Sequence, residues 1–454
     1  MKKIAKKALL LVAAIIIVAA AYSVISGTSN IPEGSLSVKA QAVLNESGCV
    51  LCHTKNPQLP FYAKIPLLNA PIVSDISRGL KCFDMTADVE NIKANKPLNA
   101  TSLSKIEYAF DSGTMPPMLF KVVHWKSQPT SAERAVIKAW IAQQRKIRNA
   151  HSAVAEKFVN EPVWPIPQTV KTDPRKVELG KILYHSTALS GDGTVSCATC
   201  HPIDKAGVDG LRTSKGIRGQ YGAINAPTVI NAVFNARQFW NGRAANLEEQ
   251  AGGPPMNPVE MDGGSWDAIA KRLEKDAKLS AAFKAVYPKG FTQENITDAI
   301  AEYEKTLITP DSPFDRYLRG DENAISPQAK AGYEAFKAYN CHVCHAGQNF
   351  GGQTFEYMGL RADYFNKRKD VGNIDDSGLV SFTKDERDTH KFKTPTLRNV
   401  ELTAPYFHDG STSDLSEAVK IMAEVQTGKV PSDTDVKNLV EFLKSLTGKL
   451  PQAK

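Results

Sequence analysis

Apolar residues are spread unevenly along the chain. Lys2, Lys3, Lys6 and Lys7 precede an almost unbroken apolar run from Ala8 to Ile25. As a helix, this run would cover about 27 Å, just enough for a bilayer core, whereas a cleavable signal has an apolar stretch of only roughly 7 to 15 residues. It therefore predicts an N-terminal membrane anchor over residues 1–27, with the lysines on the cytoplasmic side. Cleavage near Ala19-Ala20-Ala21 is the alternative. No second run of this kind follows. Elsewhere, apolar positions recur at helical spacing in short segments separated by Gly and Pro turns, and strand-like alternation is not sustained. The pattern predicts a mainly α protein.

Local signals punctuate this pattern. Thr130-Ser131-Ala132-Glu133 reads as a capping box ahead of a helix from Ala135 to Lys146. Pro162, Pro165, Pro167 and Pro174 mark a linker over 161–173. Asp173-Pro174 then caps a helix containing Leu179, Gly180, Leu183 and Tyr184, and Ser326-Pro327 opens another containing Gly332, Tyr333 and Phe336. The expected organisation is an anchor or signal at 1–27, a first domain at 38–160, the linker, a second domain at 174–318 and a third at 319–454.

Composition narrows the class. The 454 residues carry a formal charge of +8 with 42% hydrophobic and 23% charged residues, which excludes a disordered or collagen-like chain. Seven cysteines are too few for a disulfide scaffold of this length. Six of them form three Cys-x-x-Cys-His pentads: Cys49 to His53 with Cys52, Cys197 to His201 with Cys200, and Cys341 to His345 with Cys344. This frame indicates c-type haem attachment, in which two thiols bond the vinyl groups and the adjacent histidine ligates iron. A zinc knuckle would need a second ligand pair nearby, and a redox dithiol would not need the histidine. Three covalent haems c are therefore expected, one for each cytochrome c-like domain, with His53, His201 and His345 as proximal ligands. Their propionates would offset most of the positive charge, which leaves no argument for nucleic acid as a partner.

A distal methionine marks an electron-transfer haem, and an open face marks one that binds substrate. For the first haem, Met115 in Gly113-Thr114-Met115-Pro116-Pro117-Met118 is the leading ligand, with Met118 and His124 as alternatives. Cys82 lies outside the pentads and is expected to be a buried thiol near the first haem. His151, His185 and His390 have no ligand spacing.

Ordered motifs then appear: Leu189-Ser190-Gly191-Asp192-Gly193-Thr194, Asn225-Ala226-Pro227-Thr228, Asn235 to Ala244, Glu249 to Pro254, Asn257-Pro258-Val259-Glu260-Met261, Lys393 to Val400, and Ala404 to Gly410. Together they make residues 173 to 445 resemble the bacterial dihaem cytochrome c peroxidase family. With an anchored haem domain in front, the chain resembles the trihaem peroxidases that draw electrons from the quinol pool.

The resemblance implies reduction of hydrogen peroxide to water in a duplicated peroxidase core. The haem on His201 would be peroxidatic and that on His345 would transfer electrons, with Met422 as its distal ligand. Glu260 would be the acid–base residue, Gln250 its polar companion over the open iron, and Trp240 the aromatic residue between the haems. Asn225, Thr403 and Pro405 would hold a calcium ion. Where many members carry a capping histidine, this loop has Ile217, which cannot ligate, so the resemblance implies an iron open even when oxidised. His408 would have a structural role. The electron donor would be a membrane quinol or a small c-type cytochrome, and the body would lie in the periplasm, tethered to the inner membrane by a single pass. A homodimer is left open. The alternatives are a multihaem electron-transfer protein without peroxidase activity and a MauG-like haem-dependent protein-modifying oxidase, against which Met422 counts.

Overall fold

The computed structural model describes residues 2–149, 152–368 and 372–452, so His151 lies outside the described residues. The chain forms two compact units, Met1–Arg148 and Asn149–Lys454. In the first unit the principal helices are α1 (Lys2–Ser26), α2 (Leu36–Glu46), α3 (Pro66–Cys82), α4 (Thr86–Lys93), α5 (Ala100–Ser112) and α6 (Ser131–Asn149). Leu44, Leu98, Leu103, Ile106, Trp140 and Ile141 meet in its core. The capping box is formed: Thr130 N donates to Glu133 Oε2 at 2.7 Å, and Glu133 N donates to Thr130 Oγ1 at 3.2 Å. These bonds satisfy backbone donors that the first turn of α6 would otherwise leave open.

The N-terminal expectation needs correction. Among the described residues, no helix is long and apolar enough to cross a membrane. Tyr22 also packs edge-on against Trp125, with ring centroids 5.5 Å apart. The transmembrane helix, and the single-pass inner-membrane placement built on it, are therefore withdrawn.

In the second unit the principal helices are α7 (Pro174–His185), α8 (Gln293–Lys305), α9 (Pro327–Ala338), α10 (Leu415–Met422) and α11 (Asp433–Lys444). Asp173 accepts from Arg175 N at 3.0 Å and Ser326 from Ala329 N at 3.0 Å, so both expected starts are capped. Two helix pairs cross in the same way. A Cβ on Gly180 in α7 would lie 1.8 Å from the Ala299 carbonyl of α8, and one on Gly332 in α9 would lie 1.9 Å from the Asn438 carbonyl of α11. Each glycine lets two backbones cross too closely for any side chain, and Tyr303 and Phe442 pack beside the respective contacts.

The two halves do not separate into domains. Asn231 and Asn399 both donate to Thr309 Oγ1, at 2.9 and 3.0 Å, and Thr309 N donates back to Asn231 at 2.9 Å. Arg398 and Asp315, both fully buried, form a two-pronged pair at 2.8 and 3.1 Å. Buried polar groups need all of these partners, so the halves must fold against each other. The expected architecture of three haem domains is thus replaced by two units. One small sheet was not anticipated: β1 (Phe355–Tyr357) pairs antiparallel with β2 (Lys391–Lys393), Phe355 opposite Lys393. Three residues are too few to show alternation in a sequence.

Candidate active site

Each pentad histidine is oriented in the same way. Nδ1 of His201 donates to the Gly207 carbonyl at 3.0 Å, that of His345 to the Phe350 carbonyl at 3.0 Å, and that of His53 to the Phe83 carbonyl at 2.8 Å. A carbonyl can only accept, so Nδ1 carries the proton and the Nε2 lone pair is left for a metal. Burial lowers the pKa of all three rings and keeps them neutral. No pentad cysteine is in a disulfide. Burial pushes the thiols of Cys49 and Cys341 up to about 12, and those of Cys52 and Cys200 up to about 11. Thiols held protonated in this way do not suit a reactive dithiol, which works through its thiolate. The donor set fits haem c.

The segment carrying Glu260 is bonded to the loop that follows the His201 pentad. Glu260 is half-buried and lies within electrostatic reach of Cys200. Burial raises its carboxyl above the ordinary range, against the opposing pull of Arg243 and of Asn257, whose Nδ2 donates to Glu260 Oε1 at 2.7 Å. The loop 213–220 is fastened to the same segment. Ile217 N donates to the Glu260 carbonyl at 2.9 Å, and Arg218 pairs with Asp262 at 2.8 Å. Gly216 is required here, because a Cβ would lie 2.0 Å from the Val259 carbonyl. Ile217 is fully buried in the apolar cluster with Leu189, Met261 and Ile269. Gln250 is half-buried at the end of the short helix Leu247–Ala251. Asn257 and Arg243 had no assigned role from sequence, although both lie inside the matching motifs. The i, i+3 spacing of Asn257 and Glu260 was the available signal.

In the same unit, Trp240 and Met422 meet in one apolar cluster with Met358, Tyr364, Phe392 and Val425. The Trp240 indole donates to the Asn225 carbonyl at 2.8 Å. Asn225 Nδ2 in turn donates to the carbonyls of Leu211 and Arg212, at 3.1 and 3.2 Å, in the loop that follows the His201 pentad. A continuous set of contacts therefore runs from the Met422 cluster to that loop. His408 stacks on Phe392 at 4.0 Å and bonds Asp376 at 2.8 Å. His390 Nδ1 donates to the Asp376 carbonyl, and His185 Nδ1 to that of Lys181.

In the first unit, one cavity is lined by Cys49, Cys52, His53, Met85, Met115 and Phe120. Met118 is exposed, and His124 stacks on Phe120 and contacts Tyr62. Cys82 is exposed at the end of α3, contrary to the expectation of a buried thiol.

Comparison with known proteins shows the family. The model "Di-haem cytochrome c peroxidase" matches residues 174–323, and a second, "Haem-binding domain", matches residues 9–143. The chain is 50% identical over 412 residues to cytochrome c peroxidase Ccp of Escherichia coli strain K12, covering 90% of this chain and 88% of that protein. The chain belongs to the bacterial dihaem cytochrome c peroxidase family. This peroxidase is also 41% identical to cytochrome c551 peroxidase of Nitrosomonas europaea, covering 65% of this chain and 86% of the relative. Among solved structures it resembles a MauG-like protein associated with microbial copper homeostasis, with TM-score 0.55, 26% identity, and coverage of 63% of this chain and 95% of the other.

The peroxidase is thus an oxidoreductase that carries out cytochrome c peroxidase-type chemistry on haem, with hydrogen peroxide as substrate. Two expectations about its cofactors are corrected. The matched family is dihaem, so the count of three haems, and with it the trihaem resemblance, gives way to two. Calcium is withdrawn as well: among the described residues, no three His, Cys, Asp or Glu side chains gather to hold a metal ion. The Asn225 amide holds Leu211 and Arg212, Thr403 Oγ1 donates to the Val400 carbonyl at 3.2 Å, and Pro405 follows a cis peptide bond with Ala404.

Proposed function

We propose that the peroxidatic centre of this enzyme lies at His201 and its electron-transfer centre at His345, with Met422 as the distal ligand of the latter. When bound, haem c at His201 supplies the iron at which the peroxide O–O bond is cleaved and two electrons are accepted. The remaining work falls to the chain. Glu260 takes the proton from the inner peroxide oxygen and delivers it to the outer one, which departs as water. Its raised pKa suits a group that must both accept and return a proton near neutrality. Asn257 holds the carboxylate in place, and the Gln250 amide donates to peroxide oxygen as charge develops there. Trp240 orders the junction between the two centres through Asn225. The net reaction is hydrogen peroxide plus two electrons and two protons giving two waters.

The observation that carries this reading is the Glu260 carboxyl, held by Asn257 and with its pKa raised by burial, on the segment to which the loop carrying the buried Ile217 is bonded. We read the donor as a small c-type cytochrome, in keeping with the relatives named for cytochrome c551. A membrane quinol is the other outcome. The first test is the spectrum of the fully oxidised protein, which should contain a high-spin component that peroxide removes and a low-spin component with methionine ligation. An oxidised protein with only low-spin haem would refute the open site. Steady-state turnover with a reduced small cytochrome against a soluble quinol distinguishes the donors.

A further inference from the structure

Lys391 and Lys393 are on the same face of β2 and both are buried. They are treated differently by the protein. Lys391 Nζ pairs with Asp388 at 3.1 Å. Lys393, only 6% exposed, has no ion pair among the described residues, and burial alone pulls its ammonium down to about 7. A buried ammonium without an anion is strongly disfavoured. Its backbone is nonetheless fixed: Lys393 N donates to the Trp240 carbonyl at 2.8 Å, and Thr394 N donates to the Thr354 carbonyl at 2.9 Å. The lysine is held in a buried place where no described residue supplies a counter-charge.

Its neighbours show what passes nearby. Phe392, one residue before, packs in the cluster containing Met422. Pro395, two residues after, presents its carbonyl to the His345 ring, and Gly352 N donates to the Thr394 carbonyl at 2.7 Å in the loop after that pentad. The strand therefore runs from the distal to the proximal side of the His345 centre. A haem c bound there would be held through its vinyl groups by Cys341 and Cys344, and its propionates would need partners from the chain.

We propose that Lys393 is the counter-ion of a propionate of the haem held by His345 and Met422, and that this ion pair raises the haem's reduction potential. The inference rests on the assignment of that haem to His345 and Met422. Lys393 is a positioning and tuning residue rather than a catalytic one. Its positive charge disfavours the additional positive charge of ferric iron, and removing it leaves a bare carboxylate that favours the ferric state.

The test is a redox titration of the holoprotein, following the low-spin haem. Lys393→Met should shift its oxidised-to-reduced balance about tenfold towards oxidised, a fall of about 59 mV for a one-electron couple. Lys393→Arg should stay near wild type. An unmoved potential in haem-loaded Lys393→Met overturns the inference. Should that variant fail to accumulate, resonance Raman spectra of wild type and Lys393→Arg decide: the propionate-bending frequency should move between them, and identical frequencies overturn the ion pair. A wild type whose low-spin haem lacks methionine ligation refutes the underlying assignment instead, so the two failures are distinguishable.

Discussion

Replacing Glu260 by Gln is the most direct test of the chemistry, because the change removes a proton acceptor and little else. The amide has nearly the carboxyl's volume, and its oxygen can still accept from Asn257 Nδ2, which lies 2.7 Å from Oε1 in the wild type. The segment is also held by its backbone, through the bond from Ile217 N to the Glu260 carbonyl at 2.9 Å. The loop and pocket should therefore persist while proton transfer is lost. General acid–base catalysis contributes about 10² to 10⁴ in rate, and at 1.36 kcal/mol per tenfold this is about 2.7 to 5.5 kcal/mol of barrier. The assay is stopped-flow reduction of peroxide by pre-reduced protein. The rate should fall by that factor, with the spectrum of the oxidised protein unchanged. The pH profile gives a second readout. The ionised carboxylate is the acceptor, so the wild-type rate should rise with pH through a pKa that burial has moved up from the ordinary carboxyl value. That limb should be absent from the variant. Near-normal turnover in Glu260→Gln, or an unaltered acid limb, would place the acid–base role elsewhere.

The remaining expectations are briefer. With Ile217 buried in the core rather than offered to iron, the fully oxidised protein should bind azide or cyanide without prior reduction; an activation lag abolished by pre-reduction would show that another side chain caps the iron. Arg398→Met strands the fully buried Asp315 carboxylate and should destabilise the second unit by about 3 to 5 kcal/mol in denaturant unfolding, with Asp315→Asn in the same chain recovering part of the loss. Glu304 is buried, its Oε2 has no hydrogen-bond partner, and burial raises its pKa to about 8. Its folded form holds the proton more tightly than the unfolded one, so its contribution to stability falls as pH rises from about 4.5 to about 8. Glu304→Gln should thus gain on the wild type over that window, by on the order of a few kcal/mol at pH 8. Equal pH dependence in the two proteins would mean that the carboxyl ionises normally in the folded state.

The sequence by itself determined the chemistry-bearing frames. Three pentads, the caps at Asp173, Ser326 and Thr130, and the motif around Glu260 are local features, fixed by spacing of a few residues, and local features can be read in one dimension. Gly180 and Gly332 could be marked as helical positions, yet only the crossings of α7 with α8 and α9 with α11 gave their reason. Tertiary structure alone decided what depends on distant partners. It turned the expected separate domains around His201 and His345 into one unit, because the bonds among Asn231, Thr309 and Asn399, and between Arg398 and Asp315, join positions far apart in the chain. It brought Asn257 and Arg243 to Glu260, and set the Asn225 amide nitrogen against two carbonyls of the loop after His201. It also left Lys393 buried with no anion among the described residues while giving Asp388 to Lys391. The two lysines look alike in sequence, since burial and the placement of counter-charge are set by the packing of the whole chain and not by the residues on either side.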